Sequence, residues 1–285
     1  MRSLLTVLFL TGYLASAKGQ VKSQNTAIIS IDHIPIVVKD LDKVKNVLSE
    51  SLRFKIKEGK EHEGIKNCFI KFRDGTYLEF TTPVDSAQPI GKYYTDFLKN
   101  RQGGTAIAIS VNSSEPIITT LTKNAIPFKI NRSRGWNTIT PQGMDLFFIN
   151  YSGGAWKDSK ANTTHRNHAF SLKSVFILSA NMELDIKKYR SVGINEITGN
   201  NYLGIPCKIV TIGQSNLYLL DETKSGKIKQ ALHSINLNGL CGFEIKTASL
   251  SELNKQLEQN ENIIIEKKQT IIYLQELNFF LVFTE

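Results

Sequence analysis

Residues 28–38 read Ile-Ile-Ser-Ile-Asp-His-Ile-Pro-Ile-Val-Val, a β-branched run that predicts a strand, and Asp40 stands where it can cap a following helix. In that helix Leu41, Val44, Leu48 and Leu52 fall on one face. Short apolar strands are expected next at Phe54–Lys57, Cys68–Phe72 and Tyr77–Thr81, with Asp74-Gly75 as the tight turn between the last two. The order is strand, helix, strand, strand, strand.

That order returns three times, and a repeat of this kind governs the whole fold. The second unit has a strand at Thr105–Val111 and a helix opened by Ser114-Glu115-Pro116 and carrying Ile117, Leu121 and Ala125. Its strands follow at Phe128–Ile130, near Thr138 and at Leu146–Asn150. The third runs through Leu172–Leu178, a helix near Met182–Val192, and strands at Glu196–Thr198, Cys207–Ile212 and Leu217–Leu220. The fourth opens at Gly242–Thr247, continues in a helix with the capping box Ser249-Leu250-Ser251-Glu252, and closes with Ile263–Glu266, Ile271–Leu274 and Phe279–Phe283. A short helix over Gly226–Asn236, with Ile228, Leu232 and Ile235 on one side, joins units three and four. The repeat is one of element order; identity between the units is slight.

Composition sets the remaining bounds. Of 285 residues 41% are hydrophobic and 21% charged, which provides for a sizeable core and excludes wholesale disorder. The net charge of +9 is scattered along the chain and forms no basic stripe interleaved with aromatics, so no nucleic-acid role is expected. Phosphate-cradling and nucleophile-elbow motifs are absent.

Residues 1–17 combine Arg2, an apolar run from Leu4 to Leu10 and the small-residue end Ala15-Ser16-Ala17, the pattern of a secretory signal peptide. The apolar run is short for a bilayer core of roughly 30 Å; an uncleaved anchor is the alternative. Cleavage would leave a soluble periplasmic or extracellular protein with no membrane partner. Three cysteines, Cys68, Cys207 and Cys241, leave at least one thiol unpaired; all three read as buried small hydrophobes, with a Cys207–Cys241 bridge as the alternative. Sequons occur at Asn112, Asn131, Asn150 and Asn162.

A βαβββ unit used in pairs resembles the vicinal oxygen chelate superfamily, which includes glyoxalase I and extradiol dioxygenases. The stretch Ile31-Asp32-His33-Ile34-Pro35-Ile36-Val37-Val38-Lys39-Asp40-Leu41 is similar to the opening motif of its glyoxalase-like families. His62-Glu63-Gly64-Ile65-Lys66-Asn67 and Asp74-Gly75-Thr76-Tyr77-Leu78-Glu79 are similar to the glyoxalase-like domain family, as are Leu146-Phe147-Phe148-Ile149-Asn150-Tyr151 and His165-Arg166-Asn167. The resemblance implies an α+β fold of four βαβββ units paired into two glyoxalase/bleomycin-resistance/dihydroxybiphenyl-dioxygenase-type domains. These would be residues 25–151 and a degenerate second domain at 168–285, joined by a linker at 152–167. Pairing unit one with four and two with three is the alternative.

In that superfamily the first and last strands of a unit supply metal ligands to a cleft, and His33 and Glu79 occupy the matching positions. Neighbouring strands lie about 5 Å apart and alternate residues share a face, so an imidazole and a carboxylate far apart in sequence can converge on one cation. Zinc, nickel, manganese or iron would suit them. His62 is the candidate third ligand. Aligning strand openings sets Ala106, Ser174 and Phe243 where His33 stands, and Phe147, Leu219 and Leu281 where Glu79 stands, so the other units supply no donors. A homodimer is the assembly that could complete the set.

Glu79 doubles as a candidate general base, with a basic partner such as Arg132 or Arg134 as the alternative role. Arg132, Arg134 and Trp136 are candidate contacts for an anionic organic ligand, and Asn67 a further binding residue or a turn residue. Tyr93 and Tyr94 would close a pocket or cover the sheet, and His165 and His168 read as structural. The implied function is a secreted glyoxalase-like lyase, isomerase or dioxygenase, metal-dependent, acting on a small oxygenated substrate. A non-catalytic small-molecule binder of the same fold is the alternative.

Overall fold

A computed structural model describes residues 27–153, 157–195, 197–231, 239–257 and 262–285. The expected signal peptide, and Leu232 and Ile235 of the joining helix, lie outside the described residues. The first half runs β1 (Ile28–Val37), α1 (Leu41–Asn46), β2 (Lys57–His62), β3 (Ile65–Lys71), β4 (Tyr77–Pro83), α2 (Pro89–Asn100), β5 (Ile107–Val111), α3 (Glu115–Lys123), β6 (Phe128–Arg132), β7 (Trp136–Pro141) and β8 (Leu146–Tyr151). The second runs β9 (Ala169–Ser179), α4 (Met182–Ser191), β10 (Ile197–Tyr202), β11 (Ile205–Ile212), β12 (Ser215–Asp221), β13 (Gly239–Thr247), α5 (Leu250–Leu257), β14 (Ile263–Ile265), β15 (Gln269–Leu274) and β16 (Phe279–Thr284).

The strands form two mixed sheets, ordered β2-β3-β4-β1-β5-β8-β7-β6 and β10-β11-β12-β9-β13-β16-β15-β14, with the two-residue strand Gly103–Gly104 added on β1. Within each unit the first strand lies parallel to the last, as in β1/β4 and β9/β12. Parallel neighbours need a long crossover, and the helix and hairpin between them supply it. Units one and two meet through the antiparallel pair β1/β5, and units three and four through β9/β13. This is the expected α+β architecture of two paired glyoxalase-type halves.

Local chemistry accounts for the elements. The Asp40 carboxylate accepts the Lys43 N–H at 2.9 Å, and Leu41, Val44, Leu48 and Leu52 are all buried. Ser249 Oγ accepts the Glu252 N–H at 3.1 Å, as the capping box predicts. One strand departs from expectation. The segment Phe54–Lys57 does not form it; β2 is the polar run Lys-Glu-Gly-Lys-Glu-His at the sheet edge, joined to β3 by Glu63 and Gly64, both at positive φ (49° and 79°). An edge strand with little to bury carries no apolar alternation, and Phe54 goes instead into the core.

One continuous core contains residues of both sheets and of α1, α3, α4 and α5. Phe54 stacks on Phe283 (6.0 Å between centroids) and Phe80 meets Phe279 (6.5 Å), so the two halves share an interior. The segment expected as a linker is built into this seam. His165 and Asn167 are buried, the Arg166 N–H donates to the Arg53 carbonyl, and Asn167 Nδ2 donates to the Leu52 carbonyl at 2.6 Å.

The second sheet has a further apolar cluster on its other face. Phe176 lies 4.8 Å from Tyr218, 4.7 Å from Tyr202 and 5.2 Å from Phe280, and Ile228 of the joining helix packs into the same cluster. Cys207 and Cys241 are buried there as free thiols, and burial pushes both above the ordinary thiol range. Where the first sheet keeps an open face, the second fills its own. Phe176→Ala should therefore leave a void at the centre of this cluster and lower the unfolding free energy by roughly 3–5 kcal/mol, read from denaturant midpoints.

Candidate functional site

On β3 and β4 alternation divides the residues cleanly. Cys68, Ile70, Leu78 and Phe80 enter the core, with Phe72 just after β3, while Asn67, Phe69, Lys71, Tyr77 and Glu79 line a cleft of about 650 Å³ on the opposite face. β1 sends His33 and Pro35 to that cleft and Ile34 and Ile36 to the core. His33 and Glu79 therefore meet, with His33 Nε2 4.0 Å from Glu79 Oε2.

Each of the two is held by its own partners. The β1/β5 register shifts between Ile31 and His33, a bulge that sets two residues of β1 against one of β5 and lets Asp32 reach its neighbour's ring. His33 Nδ1–H donates to Asp32 Oδ1 at 2.6 Å, and the same oxygen accepts the Tyr151 hydroxyl at 3.0 Å. This leaves Nε2 directed at Glu79. Asn67 Oδ1 accepts the Lys60 N–H at 3.0 Å, which fixes the amide so that Nδ2 donates to Glu79 Oε1 at 2.7 Å. Gly59 makes room for this, because a Cβ there would lie 1.9 Å from Asn67 Oδ1.

Aromatic rings frame the pair. The His33 imidazole lies flat on Tyr77 (4.3 Å, 8°) and edge-on to Phe147 (5.6 Å, 69°). Burial pushes the Tyr77 hydroxyl well above its ordinary range, and the neighbouring Tyr151, Asp32 and Glu79 add to the shift, so it remains protonated. Lys71 Nζ sits 3.1 Å from the centroid of the Tyr77 ring. Burial lowers this ammonium to about 8, against the opposing pull of Glu79.

The remaining candidates are dispersed. His62 ends β2 at the mouth, its side chain half-exposed, with Nε2 3.5 Å from Asn67 Nδ2; Asn67 thus stands between it and Glu79. Trp136 lines the rim of the cleft. Arg132, the last residue of β6, and Arg134, in the turn that leads to β7, are exposed and lie outside the lining. The basic groups facing the cleft are Lys57, Lys71 and Lys157, and Glu79 is partnered by Asn67 and His33 rather than by an arginine. Tyr94 lines the cleft while Tyr93 is exposed. Asp32, Tyr77, Lys71 and Tyr151 were not singled out from the sequence as site residues. Counting by twos from Glu79 and Asn67 would have found Tyr77 and Lys71; Asp32 depends on the bulge and Tyr151 on the pairing of units.

Strand register shows what the other units place at the same points. His33 opposes Tyr77 across the parallel pair; Ala108 opposes Phe147, Phe176 opposes Tyr218 and Gly242 opposes Phe280. Two residues on, Glu79 is matched by Ile149, Leu220 and Val282. These positions lie one or two residues from those that aligned strand openings select, because the strands start at different points and carry bulges. The consequence is the same: imidazole and carboxylate belong to unit one alone.

That bears on the expected divalent metal. His33 Nε2 and Glu79 Oε2 are close enough to touch a common cation, but a catalytic site of this kind takes three protein donors. Among the described residues no group of three His, Cys, Asp or Glu side chains converges on one point. Asn67 occupies the other oxygen of Glu79 and separates it from His62. The donor set does not fit a three-ligand metal centre.

A model of the glyoxalase-like domain family matches residues 31–193. Among solved structures, a hypothetical protein from Staphylococcus aureus superposes with a TM-score of 0.59 at 14% identity, over 90% of this chain and 99% of its own. A variant of homoprotocatechuate 2,3-dioxygenase from B. fuscum gives 0.57 at 12% identity, over 91% and 72%. A xylose isomerase-like TIM barrel/4-hydroxyphenylpyruvate dioxygenase fusion protein gives 0.61 at 11%, over 90% of this chain and 49% of that one. At these identities the likeness is one of fold. No curated protein sequence matches.

The floor of the site rests on His165, whose Nδ1 accepts the Lys55 N–H and whose Nε2–H donates to the Lys71 carbonyl, both at 2.9 Å. Burial lowers its pKa to about 4. Below about 6.5 the unfolded chain takes up a proton that the folded chain refuses, so stability falls as pH drops from 6.5 toward 4 and levels off beneath that. The loss should approach about 3 kcal/mol. Urea midpoints across this range should fall in the wild type and fall less in His165→Gln.

Proposed function

This chain belongs to the glyoxalase-like domain family of the vicinal oxygen chelate superfamily, and on that footing we propose that the cleft of its first sheet binds a small oxygenated organic molecule and moves a proton on it, as a lyase or isomerase. The observation that carries this reading is the pair His33 and Glu79, 4.0 Å apart in one cleft and each fixed by a different partner. A base and an acid held side by side but oriented separately can act on adjacent atoms of one ligand.

Glu79 Oε2 would remove the proton from the carbon beside a carbonyl. His33, held through Nδ1 by Asp32, would place Nε2 against the oxygen on which charge develops and pass a proton to it. Returning the Glu79 proton to the neighbouring carbon, while the second hydroxyl of the enediol gives its proton back to His33, completes an isomerisation; delivering it to a leaving group on that carbon, while the enol O–H returns its proton to His33 and the carbonyl re-forms, completes an elimination. Asn67 holds the carboxylate and Tyr77 supports the imidazole ring, so both groups are positioned before the ligand arrives. No step requires a metal.

The test is proton exchange in D₂O, followed by NMR on a panel of 2-oxo acids and α-hydroxyketones with chelator-treated protein. Exchange at the carbon beside the carbonyl is expected, and Glu79→Gln should slow it by roughly 10²–10⁴-fold. Exchange unaffected by Glu79→Gln, or absent across the panel, overturns the reading. Stoichiometric metal that is lost in both His33→Ala and Glu79→Ala would overturn its metal-free form.

A second reading, binding without chemistry, is favoured by Ala108 and Ile149, which give unit two no reactive group at the matching points. It is distinguished by saturable binding with no exchange at all.

A further inference from the structure

Lys71 is the residue of this cleft that the proton-transfer reading leaves unused. It lies on β3 opposite Tyr77 in the β3/β4 register and faces the cavity. Its ammonium sits 3.1 Å from the Tyr77 ring centroid and 4.5 Å from that of Phe69. Among the described residues this ammonium makes no hydrogen bond or ion pair, although the Lys71 carbonyl accepts from His165. Lys57, on the neighbouring strand, differs: it is ion-paired to Asp158. Glu79 does not neutralise Lys71 by contact, since Asn67 holds one carboxylate oxygen and the other faces His33.

A cation that has given up most of its water for two ring faces has exchanged hydration for a weaker attraction. A carboxylate arriving in the cleft would restore the lost stabilisation. The geometry also fixes where that carboxylate must be. The imidazole occupies one face of Tyr77 at 4.3 Å, so the ammonium, at 3.1 Å, can only lie over the other face, and the two groups stand about 7 Å apart.

We infer that Lys71 is the anion anchor of the cleft, pairing with a carboxylate of the ligand on the far side of the Tyr77 ring from His33. The ligand is then an organic acid with an apolar body, which Phe69, Phe147 and Trp136 suit, and with its reacting atoms away from its charged end. This rests on the reading of the cleft as a ligand site but not on the proton transfer. The lowered affinity of Lys71 for its own proton agrees with an ammonium short of anionic contacts before the ligand arrives.

The test is calorimetric titration of the full-length protein with 3-phenylpropanoate and its neutral counterpart 3-phenylpropanamide. The acid should bind at least about 10-fold more tightly than the amide, as expected for a charge pair shielded from water. Lys71→Met should reduce the acid to the affinity of the amide, and Lys71→Arg should keep the preference, which covers the case in which methionine disturbs the packing. Equal binding of acid and amide by the wild type, or a preference that survives in Lys71→Met, overturns the anchor and leaves the cleft as a binding site. Failure of both probes to bind at millimolar concentration overturns the anchor together with the cleft reading.

Discussion

The parallel pairing of β1 with β4 is the constraint on which the rest depends. It sets His33 opposite Tyr77 and Pro35 opposite Glu79 and, through the twofold alternation of a strand, sends Ile34, Ile36, Leu78 and Phe80 to the other side. A slip of one residue would drive Glu79 into the core and expose Phe80, so the register is held from both faces at once. The crossover that parallel strands demand also explains why α1 and the β2/β3 hairpin lie between them in sequence, and why β3 can bring Asn67 and Lys71 alongside.

The architecture uses this arrangement four times and sets an imidazole beside a carboxylate in it once. At the point of His33 the other units carry Ala108, Phe176 and Gly242; at the point of Glu79 they carry Ile149, Leu220 and Val282. In the second sheet Phe176 even stacks on its register partner Tyr218, as His33 stacks on Tyr77. The ring geometry persists while the chemistry is replaced by packing. The filled second half is joined firmly to the first: Ser215 Oγ accepts the Ile31 N–H at 3.3 Å, and Gly213, at φ 56°, lies so close to the Ile29 carbonyl that a Cβ would stand 2.0 Å from it. These contacts touch β1 at Ile29 and Ile31, just before Asp32 and His33, and they brace the strand that carries the site.

Much of the fold was legible because each unit announces itself locally. A β-branched run, an aspartate or capping box, and a helix with one apolar face recur at similar spacing, and Asp40 and Ser249 cap as their positions suggest. β2 was misplaced since an edge strand of Lys, Glu and His carries no apolar signal. His33 and Glu79 were legible as strand residues with ligand chemistry. Arg132 and Arg134 looked suitable by residue type alone, and no local pattern says whether side chains at a hairpin end reach a cleft. The segment expected as a linker is polar in composition, yet His165 and Asn167 are buried because distant backbone groups, at Lys55, Lys71 and Leu52, accept or donate to them.

The amino-acid sequence by itself determined the four βαβββ units and which of them carries an imidazole and a carboxylate, since strand period, helix period and capping act over a few residues. Tertiary structure alone decided which units share a sheet, that the second cleft is closed by aromatic rings, and that Asp32, Tyr151 and Asn67 orient the pair while Lys71 stands unmatched behind Tyr77. Those outcomes arise from contacts between strands far apart in the chain, where a bulge of one residue or the choice of neighbouring strand redirects a side chain, and no local periodicity encodes them.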